Sequence, residues 1–428
     1  MFCYKGEFDM VKEKLSQIEE NVLGKIDGLD VKDKLLEHNF NQSDILRNNF
    51  MLKGALASEG YDWWWHSFTG HNKDTGEERA FFIEFFSINP ALGGDEPIFG
   101  QLPENQASGA KPSYMMVKAG CWGEGAKQMH RFFGWNQVNV KDDAPFLISA
   151  GDCFCSESRT LGMVEVSETD AANHPEWMCQ SGKIIWDLNI EKDIAFNVGY
   201  GTSWASRELE AFEMFWHAEG MRTYFNGSVI LDGVEYIVDK DSCYGYADKN
   251  WGKDFTSPWI WLASSHVKSK LTGQWLENTA FDIGGGRPKV RTGHSFDNVI
   301  LGAVWYENQP FEFNFSRFWT LTKTDFDCKE TDDRIVWSIT QETPLAKIEG
   351  SFECIKKDML LINYEAPNGT KRHNNLWNGG NGTGELKLYK KILKTNDPLT
   401  GKKAEFKWEL VDDLEVHNLG CEYGVYSE

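Results

Sequence analysis

Short apolar runs separated by turn residues occupy the chain from about residue 61 to its end. The runs recur roughly every 8 to 15 residues, a spacing typical of all-β sandwiches and barrels. Runs at 63–68 and 80–88 flank the turn 71–76 and predict one hairpin. The dipeptide Asp232-Gly233 between two apolar runs predicts another, since Asp-Gly favours the tight turn of a two-residue loop. We therefore predict a mainly β chain.

The N-terminal part follows a different pattern. Apolar residues between Met10 and Ile26 recur near a helical period among Lys and Glu, and a second such segment follows, so we predict a helical extension over residues 1–58. This extension is a candidate for homo-oligomer contacts. A further helix is predicted over 206–218. Tryptophan-rich runs near residues 63 and 259 each open a series of strands, which suggests two β domains, 59–240 and 241–428.

Charge and composition exclude several classes of partner. The formal net charge of −21 disfavours nucleic acid and anionic membrane surfaces. No apolar run reaches the roughly 20 residues of a membrane span, and the N-terminus lacks the layout of a signal peptide. The 9 cysteines are scattered and show no Cys-x-x-Cys spacing, which favours free thiols, a cytoplasmic location and no metal site.

Three glycine-rich stretches are candidates for nucleotide-binding loops, and one of them, Val198-Gly-Tyr-Gly201, is too short to carry an argument. Gly284-Gly-Gly-Arg-Pro288 opens no helix, whereas a phosphate cradle needs a helix N-terminus directly after its glycines. We predict a β turn there and a flexible loop at 379–384. The sequence therefore supports no nucleotide cofactor, and we expect a protein that works without one.

One stretch combines polar groups of the kind used in catalysis with many aromatic residues. Between Tyr244 and Gly252, strand alternation places Asp248, Asn250 and Tyr246 on one face, with Lys249 and Trp251 on the other. Trp259 and Trp261 likewise share a face. A carboxyl and a carboxamide walled by aromatic rings describe a polar site in an apolar cavity. The alternative is a buried, hydrogen-bonded corner between two strands.

The motifs of the central and C-terminal parts resemble those of the tocopherol cyclase family and, more distantly, carotenoid 1,2-hydratases, which are lipocalin-like proteins. The resemblance covers roughly residues 60–426. Its matching residues are Asp62-Trp-Trp-Trp65 with Phe86-Ser-Ile-Asn-Pro90, Asn226-Gly-Ser-Val-Ile-Leu-Asp-Gly-Val-Glu-Tyr236, Tyr246-Ala-Asp-Lys-Asn-Trp-Gly252, Phe255, Trp259-Ile-Trp261, Phe281-Asp-Ile-Gly-Gly-Gly-Arg287 and Gly384-Glu-Leu-Lys-Leu-Tyr389.

This resemblance implies two tandem lipocalin-like β-barrel or sandwich domains around a hydrophobic cavity. It also implies a reaction started by protonation of an alkene or isoprenoid. In the hydratase relatives the aspartate of the Tyr-x-Asp-x-x-Trp pattern is the proposed proton donor, and it corresponds to Asp248. A histidine upstream contributes there, and His217 is the nearest counterpart. The predicted helical N-terminus is extra and does not resemble a plastid transit peptide, so the resemblance does not fix the substrate.

The chemistry of such a site needs an acid that keeps its proton. A carboxylic acid buried among aromatic rings has a raised pKa, because burial disfavours its charged form. Indole faces can then stabilise a cation by about 0.5–2 kcal/mol each. We take Asp248, Asn250 and His217 as catalytic candidates. The substrate-binding candidates are Tyr246, Trp251, Trp259, Trp261, Trp65, His66 and Glu84.

Two functions fit these residues. One is an enzyme that isomerises, cyclises or hydrates a hydrophobic alkene-containing substrate, such as an isoprenoid or fatty acid, by protonation and deprotonation. The other is a non-catalytic lipid carrier, since lipocalin-like folds serve both purposes. Asp248 and Asn250 favour the enzyme, because a carrier of apolar ligands gains nothing from a desolvated acid. For the histidines, a structural role in the core is the alternative to catalysis.

Overall fold

The structure is a computed structural model that describes residues 47–141, 145–195, 212–287, 299–316, 320–369, 375–394 and 405–425. Most of the predicted helical extension, and any oligomer contact through it, lies outside these residues. The part of the extension that the structure describes contains the one-turn helix α1 (Leu56–Glu59). Two further short helices are α2 (Pro103–Ser108) and α3 (Glu168–Asn173).

The first of two antiparallel sheets contains the strands from residue 61 to residue 252. Its strands are β1 (Tyr61–Asn72), β2 (Glu78–Ile88), β3 (Tyr114–Cys121), β4 (Lys127–Phe133), β5 (Val138–Lys141), β6 (Leu147–Ala150), β7 (Cys153–Ser156), β8 (Arg159–Val166), β9 (Gly182–Ile194), β10 (Met214–Gly220), β11 (Arg222–Leu231), β12 (Val234–Val238) and β13 (Tyr246–Gly252).

The second sheet contains the strands from residue 259 to residue 424. They are β14 (Trp259–Ser264), β15 (His266–Ser269), β16 (Thr279–Gly286), β17 (Val299–Tyr306), β18 (Gln309–Phe313), β19 (Lys323–Glu330), β20 (Arg334–Glu342), β21 (Ala346–Ile355), β22 (Leu360–Ile362), β23 (Leu376–Lys394) and β24 (Glu405–Gly424). One sheet curls into a nearly closed barrel and the other into a half-barrel, as tandem lipocalin-like units do. The predicted mainly β fold is thus confirmed.

Neighbouring strands in the sequence pair in both sheets, apart from a few crossovers. The first sheet runs in the order β4-β3-β2-β1-β12-β11-β9-β8-β7-β6-β5, and β13 pairs with both β1 and β10. The second runs β18-β17-β16-β14-β24-β23-β21-β20-β19. The change from one sheet to the other falls between residues 252 and 259. The strand β13, which carries Asp248, therefore belongs to the first sheet, and the proposed division at residue 241 precedes it.

Both predicted hairpins are present. β1 and β2 pair along their whole lengths, from Tyr61 opposite Ile88 to His71 opposite Glu78. The β11–β12 hairpin turns at Asp232 and Gly233, which have φ values of 49° and 87°. A two-residue loop of this type needs positive φ at both positions, and Asp-Gly tolerates that at little cost.

Three local predictions are wrong. The segment 206–218 was expected to be helical; residues 206–211 lie outside the described residues, and Met214–Gly220 is the strand β10, where alternation buries Trp216 and Ala218 on one face. The turn expected at Gly284 and the loop expected at 379–384 are parts of β16 and β23. Their glycines leave space for tryptophans: a Cβ at Gly284 would lie 3.1 Å from the Trp216 ring.

Three apolar clusters form the core. One lies within the first sheet and includes Trp64, while another lies within the second sheet and includes Trp337. The third joins the two sheets, because it contains Trp65 and Tyr246 from the first together with Trp261 from the second. Strand alternation along β1 separates Trp64 from Trp65, so that β1 contributes to two clusters. The candidate site lies in this third cluster.

Candidate active site between the two sheets

The strand β13 presents its polar residues toward the second sheet. Tyr246, Asp248 and Asn250 alternate along it and share that face, as the sequence predicts. Lys249 points the opposite way and forms a buried ion pair with Asp62. On the neighbouring strand β1, Trp65 is directly opposite Asp248. The only lysine next to Asp248 in the sequence therefore does not neutralise its carboxyl group.

A small chamber lies where this face meets the second sheet. The volume that the centre of a water molecule can occupy inside it is about 20 Å³, which is room for roughly one water molecule. Strands and loops of both sheets contribute its walls, and five of the eight lining residues are aromatic. The lining residues are Trp63, Trp65, Asp248, Asn250, Trp259, Trp261, Tyr364 and Glu422.

The carboxyl group of Asp248 is almost completely removed from water, with 7% of the residue exposed. Its Oδ2 atom accepts a hydrogen bond of 2.9 Å from Nε1 of Trp216. Among the described residues it has no ion-pair partner, and Oδ1 has no hydrogen-bond partner. Burial raises the pKa of Asp248 well above its ordinary value, and the nearby carboxyl of Asp282 raises it further.

A second buried aspartate is joined to the first through Tyr246. The Tyr246 hydroxyl lies 2.9 Å from Oδ2 of Asp282 and 3.3 Å from Oδ2 of Asp248. Burial raises the pKa of Asp282 to about 8, although the hydrogen bonds from Tyr246 and Trp261 oppose the rise. One hydroxyl has a single proton to donate. Both contacts are therefore satisfied together only when one of the carboxyl groups is protonated.

Glu422 supplies a third carboxyl group to the chamber. Its Oε2 accepts a hydrogen bond of 2.7 Å from Nε1 of Trp259, and its Oε1 accepts one of 2.6 Å from Nδ2 of Asn378. Burial raises the pKa of Glu422 to about 7. A carboxyl with a pKa near the working pH can both accept and return a proton. The chamber thus contains one carboxyl that favours its proton and one that can exchange it.

Three polar atoms of the lining residues are buried without a hydrogen-bond partner among the residues that the structure describes. They are Oδ1 of Asp248, Nδ2 of Asn250 and Nε1 of Trp65. The other end of the Asn250 carboxamide is held, since its Oδ1 accepts a hydrogen bond of 2.7 Å from Tyr61. An unpaired buried polar group costs about 1–3 kcal/mol. Three of them around one chamber indicate a place for a ligand.

Three of the candidate residues do not reach the chamber. His66 and His217 lie opposite Ala247 and Lys249 in the sheet, on the face that points into the first sheet's interior. Burial lowers the pKa of His66 to about 3, and His217 contacts Oδ1 of Asn48 at 2.9 Å. Trp251 shares their face and stacks on Phe215. Because β13 alternates, none of the three can lie beside Asp248.

Glu84 is a neighbour of the chamber without lining it. It forms a completely buried ion pair of 2.7 Å with Lys118, and its Oε2 accepts a hydrogen bond of 3.0 Å from Tyr364. Tyr364 itself lines the chamber. Glu84 therefore has the partner that a carboxylate in an apolar strand requires, and it acts on the site by holding Tyr364 in place.

Several residues of the site were not anticipated from the sequence. Asp282 had a recognisable signal, because a carboxyl within an otherwise apolar strand demands an explanation, as Glu84 did. Trp63 also had a signal in the sequence, since it lies two residues from Trp65 on the same strand and therefore shares its face. Trp216 was hidden by the wrong helix prediction. Tyr364 and Glu422 come from the second sheet, far along the chain, and had no signal of this kind.

No metal-binding group and no membrane-crossing helix is found in the described part of the chain. There, no three His, Cys, Asp or Glu side chains are arranged to hold a metal ion. The helices in the same residues are also too short or too polar to cross a bilayer.

Comparison with known proteins gives distant likenesses only. No protein-family model matches the sequence, and neither does any protein of curated function. Among solved structures, a protein assigned as AttH from Nitrosomonas europaea is 9% identical, with a TM-score of 0.39 over 85% of this chain and 94% of the other. Kievitone hydratase from Nectria haematococca is 10% identical, with a TM-score of 0.40 over 85% and 89%. At these TM-scores neither likeness establishes a shared activity.

Proposed function

We propose that this protein is an acid–base enzyme that acts on a hydrophobic, alkene-containing substrate. The reaction is an isomerisation, cyclisation or hydration, carried out by adding a proton at one position and removing one at another, with no redox step. The resemblance of its motifs to the tocopherol cyclase family supports this class of reaction. Membership of that family stays a prediction.

The observation that carries the proposal is the environment of Asp248. Its carboxyl is buried, has no ion-pair partner among the described residues, and has one oxygen free beside a chamber walled by indole rings. Burial and the nearby Asp282 carboxyl both favour its protonated form. A carboxylic acid kept neutral by an apolar site is a donor that can act near neutral pH.

Glu422 replaces His217 as the candidate base. It lines the same chamber, and a pKa of about 7 suits a group that accepts a proton in one step and releases it in the next. The indoles of Trp65, Trp259 and Trp261 line the space where a positive charge would develop, and an indole face can stabilise a cation. Asn250 is placed to orient a polar group of the substrate.

The carrier function is less well supported. A carrier of apolar lipids gains nothing from a desolvated acid such as Asp248. Unpaired polar atoms would also weaken the binding of an apolar cargo, because they lose water without gaining a partner. The same atoms are useful to an enzyme that must hold and protonate a polar or polarisable group.

The test is hydrogen exchange with solvent. The purified protein is incubated in D2O with a panel of isoprenoids and unsaturated fatty acids, together with whatever ligand an organic extract of the protein contains. Mass spectrometry then counts the deuterium incorporated. We expect the wild type to incorporate deuterium into at least one compound, and Asp248→Asn to lose this while keeping its fold. Equal incorporation by both proteins would overturn the acid role of Asp248.

A further inference from the structure

The unpaired atoms of the chamber have a shared chemical character. The Asn250 amide nitrogen and the Trp65 indole nitrogen can only donate hydrogen bonds. Oδ2 of Asp248 already accepts from Trp216, so Oδ1 is the oxygen left to carry a proton toward the chamber. Three donors around one small space can bind a ligand atom with lone pairs, because each lone pair can accept from a donor.

The size of the chamber agrees with a single atom of this kind. Its open space of about 20 Å³ fits one oxygen and not a ring or a chain. A water molecule would also fit, with a hydrogen toward the Glu422 carboxyl, and a carbonyl ligand would displace it. A carbonyl oxygen accepts from several donors and has no hydrogen to place.

A larger pocket adjoins the chamber and can hold the rest of such a ligand. In this outer pocket the volume that the centre of a water molecule can occupy is about 60 Å³. Trp259 lines both spaces, and Trp216, which lines the outer pocket, donates to Asp248. The two indoles meet edge to face with their ring centroids 6.1 Å apart, so the outer pocket lies next to the Asp248 carboxyl. Other lining residues include Met214, Gly284, Val299 and Leu301.

We propose that the substrate is a conjugated carbonyl compound, an enone or dienone, whose oxygen binds among Asp248, Asn250 and Trp65 and whose apolar part lies in the outer pocket. This inference rests on the proposed function and specifies its substrate class. The alkene that reacts is then the one conjugated to the carbonyl, and the acid acts on oxygen before any carbon is protonated.

The resulting isomerisation balances without a redox partner. The Asp248 O–H proton passes to the carbonyl oxygen while Glu422 removes a proton from the carbon next to the conjugated system. The electrons of that C–H bond form a new C=C bond, and the product is a dienol. Glu422 then returns its proton to a different carbon, and the dienol O–H returns its proton to Asp248. The carbonyl is restored with the double bond moved.

The carbonyl site is tested by infrared spectroscopy with β-ionone, an isoprenoid enone, labelled with 13C at the carbonyl carbon. In the wild type we expect the carbonyl band to shift to lower wavenumber than in an apolar solvent. In Asn250→Ala and in Trp65→Phe the shift should shrink and the affinity should fall about tenfold each. The surface variants Asn139→Ala and Trp275→Phe serve as controls and should match the wild type.

The outer pocket is tested by ligand size. Leu301→Trp should lower the affinity for β-ionone by tenfold or more. It should leave the affinity for mesityl oxide, a short enone, unchanged. Equal weakening of both ligands, or of neither, would overturn the assignment of the apolar part to this pocket.

The hydrocarbon limonene separates the inference from the proposed function. If limonene exchanges deuterium in an Asp248-dependent way and β-ionone does not bind, the carbonyl assignment is wrong and the acid–base function stands. If β-ionone binds with the carbonyl shift and no compound exchanges, the carbonyl assignment stands and the enzyme function is wrong. Binding of β-ionone without a shift of its carbonyl band would also overturn the assignment.

Discussion

The hydroxyl of Tyr246 lies between two buried carboxyl groups, those of Asp248 and Asp282. Two carboxylates this close in an apolar interior repel each other, so the first to ionise makes it harder for the second to do so. The pair then loses its protons in two coupled steps that belong to the pair as a whole. At neutral pH this arrangement keeps a proton available beside the chamber.

Removing the charge of Asp282 should make Asp248 a stronger acid. Because the Asp282 carboxyl raises the pKa of Asp248, Asp282→Asn should lower that pKa and move the alkaline limit of turnover to lower pH. A pH profile of deuterium exchange measures this limit. Asp412→Asn changes another buried aspartate, in the second sheet, and should leave the limit where it is. A shift toward higher pH in Asp282→Asn would contradict the pairing.

Replacing Glu422 tests the base. Glu422→Gln keeps a side chain of the same shape but cannot accept the proton, so we expect turnover to fall by about 10²- to 10⁴-fold with ligand affinity within a few-fold of wild type. Single-turnover exchange and a binding titration measure the two quantities. The control Glu415→Gln changes a half-buried glutamate on the same strand, β24. Full activity in Glu422→Gln would mean that another group takes the proton.

At the scale of single strands, the alternation of side chains was the most reliable guide. It correctly separates Asp248 and Asn250 from Lys249 along β13. The same rule also excludes two of the binding candidates. Trp65 and His66 are adjacent on β1 and cannot both face one chamber, and Asn250 and Trp251 are adjacent on β13. The information needed to exclude His66 and Trp251 was therefore already present in the sequence.

The glycine-rich segments of β16 and β23 differ from the turn and the loop that their sequence predicts, because glycine is also a turn signal. In β23, Gly380 lies against Trp122 of the first sheet, and a Cβ there would come within 2.3 Å of its ring. Here glycine provides space for an indole from the opposite sheet. Nothing in the local sequence around residue 380 indicates this, because the contact joins positions far apart in the chain.

Gly380→Ala should therefore destabilise the protein at the junction of the two sheets. Displacing the Trp122 ring costs about 1–3 kcal/mol, as overpacking of a core generally does. Urea unfolding at equilibrium measures this cost. Gly94→Ala is a matched control, since a Cβ at Gly94 has nothing within 4 Å, and its change should stay within about 0.5 kcal/mol. A Gly380→Ala protein as stable as Gly94→Ala would contradict this packing.

At the scale of the whole molecule, the candidate site depends on both sheets. The first sheet contributes Asp248 and Asn250, and the second contributes Asp282 and Glu422. Local patterns predicted the class of fold, because alternation and turn residues act over short distances. Five of the eight residues that line the candidate chamber were named from the sequence, and they are Trp65, Asp248, Asn250, Trp259 and Trp261. Trp63, Tyr364 and Glu422 were not, because which face of one sheet meets which face of the other depends on the whole fold. The chain passes from the first sheet to the second at 253–258, between β13 and β14, and the division into two domains stays a prediction.

The buried carboxyl groups should make the stability of the protein depend on pH. The pKa of Asp282 rises from an ordinary 3.8 to about 8, so its neutral form stabilises the fold. This contribution is complete below about pH 4 and is lost as the pH rises toward 8, at up to about 1.4 kcal/mol per pH unit. His66, with a pKa of about 3, is held in its neutral form by the fold. Its contribution to stability is therefore lost as the pH falls below about 6.5.

The contribution of Asp282 is isolated by comparing two proteins. Between about pH 5 and 8 the free energy of unfolding of the wild type should fall more steeply than that of Asp282→Asn, which has no proton to lose there. Urea unfolding at a series of pH values gives both slopes. Parallel slopes for the two proteins would show that Asp282 ionises in the folded state as it does in the unfolded chain.

The most direct test of the whole account is the protonation state of Asp248 at neutral pH. Infrared difference spectra between the wild type and Asp248→Asn report it, because a protonated carboxyl has a carbonyl band at higher wavenumber than a carboxylate, and the band shifts in D2O. We predict that the wild type shows a protonated-acid band at neutral pH that is missing from Asp248→Asn and retained in Asp412→Asn. A carboxylate band in its place would contradict the account, because Asp248 would then have no proton to give.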